Sequence, residues 1–135
     1  MPITIAYDIA AWLLSIPVVL VFWKAGTFKL TAPIDTIAAA GIGWVKDTSK
    51  FVVRLVALLE VLGVVGLVLA HAAYYVQPWT LVWAVAAALG LSLTMLAGAL
   101  LHIVRKEIKY TWKINFGIAG AAAAAAGALA LVMLG

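Results

Sequence analysis

One acidic residue stands inside the most apolar part of this sequence. Glu60 lies within the hydrophobic run Phe51–His71, in the stretch RLVALLEVLGVVGL at residues 54–67. A carboxylate at that depth in a bilayer is unfavourable unless another group pairs with it. Ionisable residues inside membrane segments commonly relay protons or hold the polar part of a ligand. Glu60 is therefore the first candidate for function, and it needs a partner from elsewhere in the chain.

Helical geometry places five more polar side chains at a similar depth. They are Lys29, Arg54, His102, Arg105 and Asn115. Arg54 is six residues from Glu60 on the same helix, a rotation of about 240°, so the two side chains point in different directions. We therefore expect the partner of Glu60 on another helix, as Lys29, His102 or Arg105. Asn115 completes the predicted polar cluster.

Two interpretations of this cluster compete. The first is a buried polar network that fixes the register of the helices and has no further role. The second is a site for a ligand head group or a proton, in which Glu60 and His102 titrate against each other. The residues alone do not decide between the two.

Several familiar chemistries are excluded. The chain has no Cys, which removes thiolate nucleophiles and cysteine-ligated zinc or iron–sulfur sites. Its two histidines, His71 and His102, are predicted at opposite membrane surfaces, so they cannot ligate one haem within a monomer. No Walker, Rossmann or Gly-x-Ser-x-Gly motif is present. We assign no catalytic residue, no metal site and no cofactor of its own, and we interpret His71 as an interfacial residue.

The elements that position these residues are predicted to be membrane helices. The chain has 135 residues, of which 67% are hydrophobic and 10% charged, with a mean hydropathy of +1.20. Soluble domains are about half apolar and about a quarter charged. Apolar runs cover residues 9–25, 51–71, 78–104 and 114–134, and a helix needs about 20 residues to span the hydrocarbon. We predict a single domain over residues 1–135, an all-α bundle of four transmembrane helices.

Two further features concern the first helix and its connection. Pro17 is expected to kink the first helix, and the N-terminus has no signal-peptide pattern, so this helix should stay in the mature protein. The connection to the second helix is long for a bundle. Its segment Pro33–Val45 is predicted to form a short helix lying in the membrane interface.

Charge distribution predicts the orientation. All nine Lys and Arg residues flank the first and third connections, and none lies near the termini or the second connection. The positive-inside rule then places both basic connections in the cytoplasm and both termini outside, in a plasma membrane. The net charge of +4 is explained by these connections, so we expect no nucleic-acid partner.

Small residues are expected at helix contacts, because they let backbones approach closely in lipid. The glycines predicted to pack helices are Gly26, Gly63, Gly66, Gly98, Gly117, Gly120 and Gly127. The last three lie in an alanine-rich fourth helix. Packing inside one bundle is the first expectation for that helix, and a homodimer face is the alternative.

Three motifs in order resemble the DoxX-like family of small four-helix membrane proteins. They are FWKAGTFKL at 22–30, RLVALLEVLGVVGL at 54–67 and GLSLTMLAGALLHIVRKE at 90–107, and Asn115 follows them. The resemblance covers nearly the whole chain. The recurrent family positions correspond to Gly26, Lys29, Arg54, Glu60, Gly63, Gly66, Met95, His102, Arg105 and Glu107. Two departures are Gly98, where the family more often has Ala, and the extra charge of Lys24.

The resemblance implies a four-helix bundle with its polar positions in the cluster around Glu60. DoxX-like proteins are associated with quinone-linked sulfur oxidation and membrane oxidoreductase complexes in bacteria. Related eukaryotic members act as assembly factors for oligomeric receptors, and the wider fold group includes proteins that bind sterol-like ligands. We therefore expect a subunit or accessory protein of a quinone-linked redox complex, with membrane or peripheral protein partners. The alternatives are a membrane chaperone and a bundle that binds a lipid or sterol-like ligand.

Within that expectation each polar residue has a role. Glu60 would accept a proton or anchor the ligand, which would be a quinone or another lipid-soluble molecule. His102 would be its titrating partner. Lys29, Arg54 and Arg105 would balance the charge.

Overall fold

The architecture is all-α. The computed structural model describes residues 2–135, apart from the side chains of Pro2 and Tyr110. It is 89% helical, and the described residues form no strand, which confirms the predicted fold class. The helices are α1 (Pro2–Thr31), α2 (Ile34–Ala39), α3 (Lys50–Ala73), α4 (Leu81–Val104) and α5 (Ile108–Leu134), with short 3-10 helices at Gly43–Asp47 and Pro78–Thr80.

The four long helices form a ring and are each long and apolar enough to cross a bilayer. Helix α1 packs against α3 and α5, and α4 packs against the same two helices. Gly135 lies beside Thr4, so both termini are at one end of the bundle, which we call the terminal end. The two connections rich in Lys and Arg lie at the other end, the basic end.

Helix α1 is longer than the predicted run of residues 9–25 at both ends. The predicted run followed hydrophobicity alone and stopped short of Asp8 and Lys29. In the structure both residues have polar partners on α3, His71 and Glu60, and the helix continues through them. Pro17 lies inside the same helix.

The first connection contains two short elements instead of one helix over Pro33–Val45. Helix α2 ends before Gly41, whose φ of +98° lies in the left-handed region that favours glycine. The 3-10 helix Gly43–Asp47 follows. Ile37 and Val45 are buried against Val53 of α3, which holds this connection against the basic end of the bundle.

Packing along α5 depends on alanine more than on glycine. Ala122 and Ala125 are fully buried, and Ser92 of α4 donates a hydrogen bond of 2.8 Å to the carbonyl of Ala119. A β-carbon built at any of five predicted packing glycines would meet no atom within 4 Å, namely Gly66, Gly98, Gly117, Gly120 and Gly127. The prediction that these five glycines pack helices within the bundle is corrected. On α5, the buried face is formed by residues that lie between its glycines.

Gly26 and Gly63 do lie at close helix contacts. A β-carbon at Gly26 would be 2.8 Å from Cγ2 of Val61 and 3.3 Å from the carbonyl oxygen of Ala57. One at Gly63 would be 2.9 Å from Cδ2 of Leu91. Glycine therefore sets the approach of α1 to α3 and of α3 to α4.

Candidate functional site

The partner of Glu60 is Lys29. The close approach of α1 to α3 at Gly26 brings the Lys29 side chain, which follows almost one turn later, within reach of the carboxylate. The Lys29 Nζ lies 2.6 Å from both carboxylate oxygens and donates its hydrogen bond to Oε1. Both side chains are only 8% exposed. A buried pair of this kind keeps its charges only because each compensates the other.

Arg54 stabilises the same pair from the backbone side. Its guanidinium donates hydrogen bonds to the main-chain carbonyls of Lys29 and Ala32, the second at 2.8 Å. These carbonyls are at the C-terminus of α1, where the helix itself supplies no donors. Arg54 therefore caps α1 and fixes the residue that pairs with Glu60. The sequence assigned it to charge balance and did not indicate these acceptors.

His102 belongs to a neighbouring network at the end of α4. Its Nδ1 lies 3.3 Å from Oε2 of Glu107, whose other oxygen accepts a hydrogen bond of 3.2 Å from Nε of Arg105. Arg105 also bonds Asp47 of the 3-10 helix. In the part of the chain that the structure describes, no hydrogen bond or ion pair joins Glu60 to His102. The expected titrating pair is therefore two separate pairs, Lys29–Glu60 and His102–Glu107.

The Arg105 network also closes the basic end of the bundle. A β-carbon at Gly43 would lie 2.7 Å from Nη2 of Arg105, so the first connection passes directly beneath that guanidinium. The bond from Arg105 to Asp47 attaches this connection to the turn between α4 and α5. The missing side chain at Gly43 makes room for that attachment.

A large cavity lies between the four long helices at the basic end. Its volume is about 1630 Å³, and the first connection contributes to its wall. Polar side chains of all four long helices line it: Lys29, Glu60, His102 and Asn115. The rest of the lining is mainly apolar and includes Phe22, Phe28, Trp44, Met95 and Ile114. Binding sites for small molecules have this composition, with few polar groups on an apolar wall.

Some polar atoms in the cavity wall have no hydrogen-bond partner. These fully buried atoms are Asn115 Nδ2 and Thr111 Oγ1, whereas Glu60 Oε2 is paired with the Lys29 ammonium at 2.6 Å. Asn115 as a whole is 6% exposed. Buried polar groups in folded proteins are almost always hydrogen-bonded. The predicted cluster residue Asn115 therefore lies in the wall with an unused donor and does not join the Lys29–Glu60 pair.

A second polar cluster lies at the terminal end, and the sequence did not predict it. His71 is fully buried within the bundle. Its Nε2 lies 2.7 Å from Oδ1 of Asp8, and Oδ2 of Asp8 accepts a hydrogen bond of 2.6 Å from the Tyr75 hydroxyl. Trp12 donates to that hydroxyl at 2.8 Å and stacks on the His71 ring with centroids 4.0 Å apart.

The contact between Asp8 and His71 could have been predicted from the sequence. The predicted topology places the start of the first helix and the end of the second at the same membrane surface, and each carries one ionisable residue there. The aromatic partners were less accessible to prediction, because many aromatic residues are expected at a membrane surface anyway.

Comparison with known proteins gives one result. The model of the DoxX-like family matches residues 13–134, which is most of the chain and contains every residue of the cavity wall named above. No match was found among curated proteins or among solved structures.

Proposed function

This chain belongs to the DoxX-like family, and on that premise we propose that it is an integral membrane subunit or accessory protein of a quinone-linked redox complex. Its cavity would bind a quinone or another lipid-soluble ligand. The observation that carries the proposal is the cavity of about 1630 Å³ between the four helices, with Glu60 and Asn115 in an otherwise mainly apolar wall. The proposed orientation has the basic end in the cytoplasm and both termini outside, in a plasma membrane.

The composition of the wall fits a ligand with an apolar body and a small polar head. Phe22, Phe28 and Met95 offer contact surface for a ring or a lipid chain. The unused donor of Asn115 would hold the head, beside the Lys29–Glu60 pair. A purely structural network would satisfy this donor within the protein, because an unpaired buried polar group destabilises the fold.

The test uses a substitution that fills part of the cavity and breaks no polar contact. Gly98 lines the cavity, and a β-carbon there would meet no atom within 4 Å, so Gly98→Leu places a side chain in the open space. Gly90→Leu is the matched control. It lies two turns earlier on α4, also has no atom within 4 Å of an added β-carbon, and does not line the cavity.

Small molecules retained after mild detergent extraction are identified by mass spectrometry for wild type and both variants. We expect a quinone in wild type and in Gly90→Leu, and its loss from Gly98→Leu. If a sterol or another lipid shows this pattern instead, that molecule is the ligand and the quinone is not. Equal retention in all three proteins, or in none, would show that the cavity is not a ligand site.

A second candidate function is favoured by the outer face of α5. Gly117, Gly120 and Gly127 are exposed on that face, and a β-carbon added at any of them would meet no atom within 4 Å, so another membrane helix could approach closely there. This arrangement suits a chaperone for membrane proteins, or a homodimer. Gly120→Leu should then abolish crosslinking of α5 to its partner and leave ligand retention unchanged, whereas cavity variants should do the reverse.

A further inference from the structure

One charged residue of the cavity wall has no counter-ion. Five charged side chains line the cavity: Lys24, Lys29, Asp47, Glu60 and Arg105. Four of them form two ion pairs, Lys29 with Glu60 and Arg105 with Asp47. Among the residues that the structure describes, the Lys24 ammonium has neither a hydrogen bond nor an ion pair. Lys24 is exposed to the space beside it.

The chain holds no spare acid for Lys24. It has five Asp and Glu residues in all. Each of them already lies within 4 Å of a basic side chain, in the pairs Asp8–His71, Asp35–Lys46, Asp47–Arg105, Glu60–Lys29 and Glu107–Arg105. A counter-ion for Lys24 must therefore come from a molecule other than this chain.

The position of Lys24 selects the kind of anion. Lys24 lies inside the apolar span Ile3–Thr31, five residues before Lys29, and so about 7.5 Å farther from the basic end along α1. A charge at such a depth is unfavourable without a partner. The flexible lysine stem lets the ammonium extend toward the head-group layer at the basic end. The phosphates of lipids already lie in that layer, whereas a free ion would have to leave water to reach the ammonium.

The wall around Lys24 also suits the apolar part of a lipid. Val21 and Phe28 of α1 and Leu59 of α3 line the same cavity. Cavities that bind small molecules usually measure about 300–1,000 Å³. The volume here is about 1630 Å³, so there is room for an acyl chain in addition to a smaller ligand.

We propose that the cavity also binds an acidic phospholipid, whose phosphate pairs with the Lys24 ammonium and whose acyl chain lies on the apolar wall. Lysine binds phosphate as a compact point charge, and the pair is a charge-assisted hydrogen bond. The proposal goes beyond the proposed function, because a quinone is neutral and cannot compensate the charge of Lys24.

The test is a competition between two lipids with the same acyl chains. The full-length protein in a mild detergent is mixed with equal amounts of dioleoylphosphatidylglycerol, which has a net negative charge, and dioleoylphosphatidylcholine, which is neutral. Native mass spectrometry identifies the first lipid that stays bound. We expect the acidic lipid to be preferred about tenfold, as for one charge-assisted hydrogen bond.

Variants assign the preference to Lys24 and to the cavity. Lys24→Gln should reduce the preference to about onefold, and Lys24→Arg should keep it, because only the first loses the charge. Lys50→Gln is the matched control. It makes the same change at an exposed lysine of the basic end that does not line the cavity, and should keep the preference. Gly98→Leu, which fills part of the cavity, should release the acidic lipid.

Three outcomes would overturn the inference. The first is a preference that survives in Lys24→Gln. The second is an equal loss in Lys24→Gln and Lys50→Gln, which would show attraction to the net charge of the basic end alone. The third is a preference that survives in Gly98→Leu, which would place the lipid outside the cavity. None of them bears on the proposed function, because Lys24 is not among the groups that would hold the quinone, and quinone retention is measured separately.

Discussion

Arg54 donates a hydrogen bond to the main-chain carbonyl of Lys29, the residue whose ammonium group pairs with Glu60. Lys29 is thus held at two points by α3, through its backbone by one residue and through its side chain by another. The two α3 residues are six positions apart and point in different directions. One helix can make both contacts because α1 ends beside α3. The last main-chain carbonyls of α1 face Arg54, and the Lys29 side chain faces Glu60.

Arg54→Lys should therefore loosen the end of α1 although it keeps the charge. Lysine has a single ammonium group and lacks the fork of donors that reaches two carbonyls at once. We expect the free energy of unfolding to fall by about 1–2 kcal/mol. Faster hydrogen exchange at the last turn of α1 should accompany this fall. Lys50→Met, which removes a neighbouring basic residue without these bonds, is the control, and an Arg54→Lys protein as stable as that control would contradict the capping role.

Removing one charge of the Lys29–Glu60 pair should lower the stability of the protein more than removing both charges. Glu60→Gln leaves a buried ammonium without its counter-ion and should destabilise the protein by about 3–5 kcal/mol. Lys29→Met/Glu60→Met removes both charges and should recover most of that loss. Thermal unfolding in one detergent compares the three proteins. A double variant less stable than Glu60→Gln would show that the pair is needed for folding itself.

Asn115→Leu should stabilise the ligand-free protein. The two side chains have the same branched shape and the same number of heavy atoms, and the substitution removes a buried donor that has no acceptor. Relief of that desolvation corresponds to about 1–3 kcal/mol. Stability is measured by thermal unfolding before and after addition of a quinone, decylubiquinone. Without ligand the variant should be more stable than wild type, and the ligand should stabilise it less. A ligand-free variant less stable than wild type would mean that Asn115 supports the fold.

The terminal-end cluster predicts an altered tyrosine titration. Partial burial and the hydrogen bond donated to Asp8 raise the pKa of the Tyr75 hydroxyl above its ordinary value of 10.0. The associated stability is fully present below pH 10.0 and is lost as the pH rises through the raised pKa of the folded protein. Asp8→Asn should lower this pKa toward the ordinary value.

The titration is followed by the ultraviolet absorbance of tyrosinate, and Tyr75→Phe identifies the component that belongs to this residue. The neighbouring Tyr74 is the internal control, because Asp8 does not hydrogen-bond to it. A Tyr75 titration that is the same in wild type and Asp8→Asn would show that Asp8 does not act on the hydroxyl.

The sequence predicted the four spans and reduced the partner of Glu60 to three candidates. Both results depend on strong signals, namely long apolar runs and the small number of charges inside them. Choosing Lys29 among the three required the rotation of α1 about its axis, which the close contact at Gly26 sets. A contact between two backbones depends on three-dimensional packing and is only weakly encoded in residue types.

Other features were not predictable for physical reasons. Main-chain carbonyls are present at every residue, so nothing in the sequence distinguishes Lys29 and Ala32 as the acceptors of Arg54. The side of α5 on which its glycines lie could not be predicted either, because this part of the helix carries small apolar residues on all sides. The cavity is a gap between helices, and no residue pattern reports a gap.

The two polar pairs between α1 and α3 also relate the protein to the thickness of its membrane. Their α1 members, Asp8 and Lys29, are 21 residues apart, or about 32 Å along a straight helix, whereas their α3 members, His71 and Glu60, are 11 residues apart, or about 17 Å. The side chains therefore meet closer together than the thickness of a typical hydrocarbon layer, which is about 30 Å. A thicker bilayer would draw both pairs deeper into hydrocarbon, and a thinner one would bring them nearer to water. The pairing therefore couples the contact between α1 and α3 to the thickness of the bilayer.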